Sequence, residues 1–210
     1  SQINPHFLNN TLEIINWEAR LADNERVCSM IEALSTMLDA AIGRDGRAQI
    51  PLAEELQYVD AYLYITKERL GDRLTLRREI DEAMLPVRIP RLMLQPIVEN
   101  AVVHGFDGYR DDGLITMEAS LDKDFFRLTI TDNGIGIEEE HLAHIFDKFY
   151  RVSNSKRPPV RGYGIGLFYV KTMIHMHNGT IRVESQPGKG SCFIITLPQT
   201  HERQEIDIIG

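Results

Sequence analysis

The spacing of apolar residues changes once along this chain, near Gly71, and that change limits the folds open to it. Before it, apolar residues recur at helix spacing. Leu8, Leu12, Ile15, Ala19 and Ala22 form one stripe. Val27, Met30, Ile31, Leu34, Leu38 and Ala41 form a second, and Leu56, Val59, Leu63, Thr66 and Leu70 a third. Residues three and four apart share a helix face, so each stripe predicts an amphipathic helix. Breaks fall at about 22–25 and at Gly43-Arg44-Asp45-Gly46, a polar turn with two glycines. Pro51 is expected to open the third helix, where its missing N–H costs little. After Gly71 the period becomes two. Leu74, Leu76 and Ile80 alternate, and so do Ile115, Met117, Ala119 and Leu121. Phe126, Leu128 and Ile130 follow, then Ile181 and Val183, then Phe193, Ile195 and Leu197, all reading as strands. Helical stretches are expected at 91–104, 138–145 and 166–177. Strands joined without regular βαβ alternation predict an α+β architecture, a mixed sheet with helices on one face.

The chain's 210 residues allow one ordinary domain plus a helical appendage, and 43% apolar content supports a core rather than disorder. The boundaries suggested by the pattern are 1–70, 71–198 and a polar tail at 199–210. A formal net charge of -8 argues against a general nucleic-acid binder, which needs a basic footprint. It leaves room for a nucleotide, which a few local cations satisfy. Cys28 and Cys192 lie far apart in apolar contexts and read as buried thiols without metal-ligand spacing. No uncharged apolar run approaches the roughly 20 residues that cross a bilayer, and no secretory signal pattern is present. The chain begins without Met, already inside a motif, and reads as a soluble piece of something longer.

Three segments carry chemistry, in order. The first is Leu94-Gln95-Pro96-Ile97-Val98-Glu99-Asn100-Ala101. Two readings of Asn100 stand: a helical amide tying two helices together, or a hard oxygen ligand for Mg²⁺, an ion that keeps waters and also binds phosphate oxygens. Glu99 is a candidate to hold one of those waters or to act as a base. His104, one turn on, either reaches a phosphate or is a structural histidine. The second segment is Asp132-Asn133-Gly134-Ile135-Gly136. Alone it is turn chemistry. Functionally, a carboxylate at a strand end accepts a hydrogen bond from an adenine amino group, and Gly134 and Gly136 let the backbone close on the ring. A guanine carbonyl there would leave two acceptors facing each other. The third is Gly162-Tyr163-Gly164-Ile165-Gly166-Leu167, glycines running into a helix whose exposed N–H groups and dipole suit an anion. Its spacing is neither the Rossmann fingerprint nor a P-loop. Between the last two lies an irregular stretch with Lys148, Arg151, Lys156, Arg157 and Arg161, read as a cover over the site.

Together these segments resemble the ATP-binding fold shared by histidine kinases, type II topoisomerases, Hsp90 chaperones and mismatch-repair clamps. The resemblance covers about 92–198 and implies a two-layer α/β sandwich of the Bergerat type. Asn100 falls in what resembles the N box, Asp132 in the first glycine box and Gly162 to Leu167 in the second. Phe146-Asp147-Lys148-Phe149-Tyr150-Arg151 is similar to the F box of histidine kinases. Gly190-Ser191 resembles the final motif, usually Gly-Thr, whose hydroxyl reaches the adenine. At the other end, Gln2-Ile3-Asn4-Pro5-His6-Phe7-Leu8 followed by Asn10-Thr11-Leu12 resembles the phosphoacceptor segment of the LytS/YesM class of sensor kinases. That class usually carries an aromatic residue where this chain has Asn9.

The resemblance implies ATP and Mg²⁺ as cofactors, autophosphorylation of His6, and transfer to an aspartate on a response regulator. Lys148, Arg151 and Arg161 would neutralise phosphate charge together with Mg²⁺ on Asn100, with Arg161 the first choice among them. Asn4 and Pro5 read as N-cap and first residue of the helix bearing His6. Asn10, four residues after His6, shares its face. It is either a surface amide or, by analogy, a residue orienting a water for dephosphorylation. Glu99 is the candidate general base. The resemblance also implies an upstream membrane-spanning sensor, making this the cytoplasmic portion of a membrane receptor. The first two apolar stripes exceed what one hairpin hides, so a homodimeric four-helix bundle is expected. The competing reading is an ATP-binding switch of the same superfamily without phosphotransfer. His141 and His144 are helix-spaced but lack a third ligand, and read as solvated or packing residues.

Overall fold

The structure is a computed structural model and describes residues 5–43, 46–106, 111–152 and 163–199. Three helices come first: α1 (Pro5–Leu21), α2 (Glu25–Ile42) and α3 (Leu52–Leu70). Asn24 caps α2, its side-chain oxygen accepting the Val27 N–H at 3.2 Å, and Gly43 ends it in the left-handed conformation. A two-stranded ribbon, β1 (Gln49–Pro51) against β3 (Arg88–Pro90), lies beside α3. Pro51 sits at the N-cap, not inside the helix, because β1 holds it extended at ψ 145°. The remaining strands are β2 (Leu74–Glu79), β4 (Gly113–Asp122), β5 (Phe125–Asp132), β6 (Thr180–Gln186) and β7 (Gly190–Pro198). They form one sheet in the order β2-β4-β5-β7-β6, antiparallel except for the β2–β4 pair.

Alternation along these strands sends Ile115 and Met117, Phe126, Leu128 and Ile130, and Phe193, Ile195 and Leu197 to one buried face. Leu94, Ile97 and Val98 of α4 (Leu94–Asn100) and Val170 and Ile174 of α6 (Gly166–Met176) cover that face. The mixed sheet with helices on one face is the architecture the sequence predicts. The third apolar stripe, Leu56, Val59, Leu63 and Leu70, joins this same core, so α3 is packed against the sandwich as well as against α2.

The intervening helices differ from the expected spans. The stretch at 91–104 resolves into α4 and a π-helical turn at Ala101–Phe106, the regular hydrogen-bond ladder widening after Asn100. The stretch at 138–145 yields only a short helix, α5 (Glu139–Leu142), followed by turns. Both cysteines are half-buried rather than fully buried. Cys192 points to the outer face of β7, where the Thr131 hydroxyl lies 3.4 Å from its sulfur.

Glu55 joins the helical layer to the sandwich. It is fully buried, and its two carboxylate oxygens accept the backbone N–H groups of Leu92, Met93 and Leu94. An acid on α3 therefore caps the N-terminus of α4, satisfying three backbone N–H groups at once. Leu92 is held at φ 56° to present its N–H. Arg91 beside it donates to the Asp39 and Ala40 carbonyls at the end of α2, at 3.0 and 3.2 Å.

Candidate functional site

Asp132 ends β5 and is buried. Its register partners are Ile115 on β4 and Ser191 on β7. Its Oδ1 accepts the Gly134 N–H at 2.8 Å. Burial raises its pKa, and hydrogen bonds from the Gly134 and Ser191 N–H groups oppose the rise. Asn133 does a different job: its side chain accepts the Leu114 N–H at 2.8 Å and donates to the Asp112 carbonyl at 2.9 Å. It thereby extends the β4–β5 pairing past the last strand residue.

The glycines of this turn are required by contacts within the protein. A Cβ on Gly134 would stand 2.6 Å from the Gly105 Cα and 2.8 Å from Asp132 Oδ1. A Cβ on Gly136, at φ 70°, would stand 2.1 Å from the Gln186 carbonyl oxygen. Gly105 lies in the π-helical turn, so the Gly105–Gly134 approach seats the end of the Asn100 helix directly on the Asp132 turn. The sequence motifs do not single out Gly105. Its signal is a lone glycine late in a helical pattern, which often marks a close approach.

Asn100 is half-buried at the last position of α4. Glu99 keeps solvent access, yet partial desolvation raises its carboxyl pKa. The backbone of His104 lies in the π turn, while its side chain falls outside the described residues. Arg161 and Gly162 also lie outside them, as does Asn4. Gly164 (φ 66°) presses so close that a Cβ would meet the Tyr150 carbonyl oxygen at 2.7 Å, and its own carbonyl accepts the Phe149 N–H at 2.9 Å. The F-box-like segment and the glycine turn are thus clasped together. Gly166 begins α6 and abuts Pro96 of α4. Leu167 turns its side chain into the core, leaving its backbone for any ligand contact. Lys148 and Arg151 are exposed, with Lys148 Nζ 5.0 Å from the centre of the Phe149 ring. Phe146 is a core residue, edge-on to Phe193.

One end of the sheet therefore gathers Asp132, Gly134, Gly136 and Ser191, with the C-terminal end of the Asn100 helix seated on them. The Gly164–Gly166 turn lies against that same helix. His6 and Asn10 sit elsewhere, on α1, which packs against α2. There the Asn10 amide nitrogen is 3.4 Å from His6 Nδ1. His141 Nδ1 lies 2.8 Å from the Tyr150 hydroxyl, and His144 Nδ1 2.8 Å from Asp147. Among the described residues no cluster of three or more His, Cys, Asp or Glu side chains could hold a metal.

Fold and site define a sandwich with a buried acid at a strand end beneath a widened helix, and a glycine turn set against that same helix. Residues 86–201 match the family described as Histidine kinase-, DNA gyrase B-, and HSP90-like ATPase, and residues 1–74 match the Histidine kinase family. The chain belongs to this ATPase family, on its histidine kinase branch. It is 31% identical over 205 residues to the sensor histidine kinase YesM of Bacillus subtilis, covering 96% of this chain and 33% of the relative. It is 35% identical over 145 residues to the sensor protein LytS of Staphylococcus haemolyticus, covering 69% and 25%. The chain thus spans about a third or less of the length of these curated relatives. Among solved structures, the catalytic domain of histidine kinase ThkA superposes with a TM-score of 0.56 at 22% identity, over 72% of this chain and 97% of that one. A histidine kinase domain from Erythrobacter litoralis covers 94% of this chain and 86% of its own at a TM-score of 0.52 and 18% identity. At such identities the likeness concerns the fold.

Proposed function

We propose that this chain is the kinase portion of a sensor histidine kinase: it binds ATP at the Asp132 end of the sheet, phosphorylates His6, and passes the phosphoryl group to an aspartate of a response regulator. The observation that carries the reading is the buried Asp132 carboxylate, an acceptor at a strand end facing the π turn, with Ser191 beside it. Such a group has no charged partner among the described residues and suits the amino edge of adenine. The division proposed is 1–70 for dimerisation and phosphoacceptance, 71–198 for ATP binding and 199–210 as a tail, with α3 shared by the first two.

In the transfer, a ring nitrogen of His6 uses its lone pair to attack the γ-phosphorus as the bond to the bridging oxygen of ADP breaks. The ring proton passes to a base, for which Glu99 is proposed; its raised pKa improves it as an acceptor near neutral pH. The Asn10 contact orients the imidazole through Nδ1. The donor set fits Mg²⁺: an amide oxygen on Asn100, with no carboxylate cluster among the described residues, suits an ion held mostly by phosphates and water. When bound, that ion neutralises charge developing on the phosphates. Gly164, Gly166 and the Leu167 N–H are proposed to line the phosphate path, with His104, Lys148, Arg151, Arg161 and Gly162 around it.

A homodimer is supported by α1. Phe7, Ile14, Trp17 and Leu21 are 64–68% exposed and fall at heptad spacing on one face. An uncovered seam of this kind matches a second copy of the same helix. The upstream membrane-spanning sensor remains part of the proposal; in the described residues no helix is long and apolar enough to cross a membrane.

The test is incubation with γ-labelled ATP and Mg²⁺. Label on the chain that is acid-labile, base-stable and absent in His6→Ala supports the kinase. Label retained in His6→Ala rejects His6 as the acceptor, and ATP binding without any label rejects the kinase in favour of a switch.

A further inference from the structure

Three strands meet at the base end of the site, and their polar side chains form a row. Asp132 on β5 pairs with Ser191 on β7, and Ser191 pairs with Ser185 on β6. Directly opposed residues point to the same face of a sheet, so the three side chains stand side by side. Asp132 and Ser191 are buried, and Ser185 is half-buried at the outer end.

The Ser185 hydroxyl makes three contacts. It donates to the Gly190 carbonyl at 2.8 Å, accepts the Ile137 N–H at 2.8 Å, and lies 3.0 Å from the Ser191 hydroxyl. A serine hydroxyl has one hydrogen and two lone pairs. Gly190 can only accept, so it takes the hydrogen. Ile137 can only donate, so it takes one lone pair. The remaining lone pair is left for Ser191, whose own hydrogen must then point at Ser185. Ser191 thus faces the base with lone pairs alone, beside a carboxylate that also only accepts.

We propose that Ser185 is a positioning residue for base selection: by claiming the Ser191 hydrogen, it makes the row beside Asp132 a wall of acceptors. The inference rests on the reading of Asp132 as the adenine contact. An exocyclic amino group brings donors to that wall. A guanine carbonyl brings another acceptor and meets no hydrogen from either residue. Ser185 also ties Ile137, just past the glycine turn, to the β6–β7 hairpin, so the same hydroxyl holds both sides of the base end in register.

Removing the hydroxyl frees the Ser191 hydrogen to rotate toward the ligand and donate to a carbonyl. The experiment measures dissociation constants for ATP and GTP, each with Mg²⁺, in the wild-type chain, Ser185→Ala and Ser185→Thr. The expected result is a preference for ATP that shrinks roughly tenfold in Ser185→Ala, the worth of about one neutral hydrogen bond. Ser185→Thr keeps a hydroxyl on a strand that tolerates β-branching and retains the preference. If Ser185→Ala does not fold, Ser185→Cys, near-isosteric with a weak donor, reads the same ratio. A preference that survives loss of the hydroxyl, with both nucleotides weakened equally or neither changed, makes Ser185 a structural residue and overturns the inference alone. A wild-type chain indifferent between ATP and GTP overturns the reading of Asp132, and this inference with it.

Discussion

Glu55 sets two physical effects against each other, and Glu55→Gln decides which dominates. Desolvation disfavours its charged form, while three backbone N–H bonds and Arg91 favour it; the balance pushes the carboxyl from an ordinary 4.5 up to about 7. Between these values the folded chain holds a proton that the unfolded chain has released. Stability contributed by this group is therefore fully present below pH 4.5 and is lost as pH rises through 7. At about 1.4 kcal/mol per pH unit, the whole interval amounts to roughly 3 kcal/mol. Glutamine keeps the shape but does not titrate, and the other acids titrate in both proteins and cancel in the difference. Urea unfolding of wild type and Glu55→Gln at several pH values from 5 to 8 is the assay. The wild type should lose about 2–3 kcal/mol relative to the variant between the lowest and highest pH. A difference that stays flat, or one that favours the wild type more strongly as pH rises, would mean that Glu55 remains ionised. The three N–H groups would then outweigh desolvation, refuting the reasoning.

Further outcomes follow from the same structure. Gly134→Ala forces a Cβ to 2.6 Å from the Gly105 backbone and should destabilise the fold by about 1–3 kcal/mol. Gly105→Ala, whose nearest neighbours would be 3.5 Å away, should be tolerated; thermal melts compare the two. Glu99→Gln should slow His6 labelling by roughly a hundredfold while leaving ATP affinity near wild type, as read from labelling time courses beside calorimetry. In the wild type the labelling rate should fall on acidification, as the base takes up a proton, from a higher pH than an ordinary glutamate would give. Trp17→Glu places a charge in the exposed seam of α1 and should shift a dimer toward monomer in sedimentation runs, without loss of helix content.

How far these features are legible in the sequence depends on whether they leave a periodic trace. The alternation at Ile115–Met117 and Phe126–Leu128–Ile130 marks the inward face of β4 and β5 because one face is dry and the other wet. The chemistry at Asp132 and the glycine turns is visible because glycine answers a local backbone demand. Strands β1 and β3 are three residues each, too short to alternate. Glu55 follows Glu54 in the first turn of α3, where acids ordinarily sit in water, and only the tertiary fold reveals that it is fully buried. Ser185 reads as one polar residue in an edge strand until its cross-strand neighbours are known. The outer seam of α1 does not stand out in the sequence because the stripe beginning at Leu8 is equally periodic, and a helix with two apolar faces offers two answers.

The π turn at Ala101–Phe106 has a consequence for how this domain tolerates insertion and deletion. Deleting one residue there would restore ordinary helical winding and swing everything downstream by about 100°. Gly105 would rotate off Gly134, and a bulkier neighbour would wedge the acid and the amide apart. Length changes that a surface loop absorbs without notice would here unlatch the helix from the Asp132 turn, so the count of residues between Asn100 and Phe106 is as much a determinant of the site as their identity.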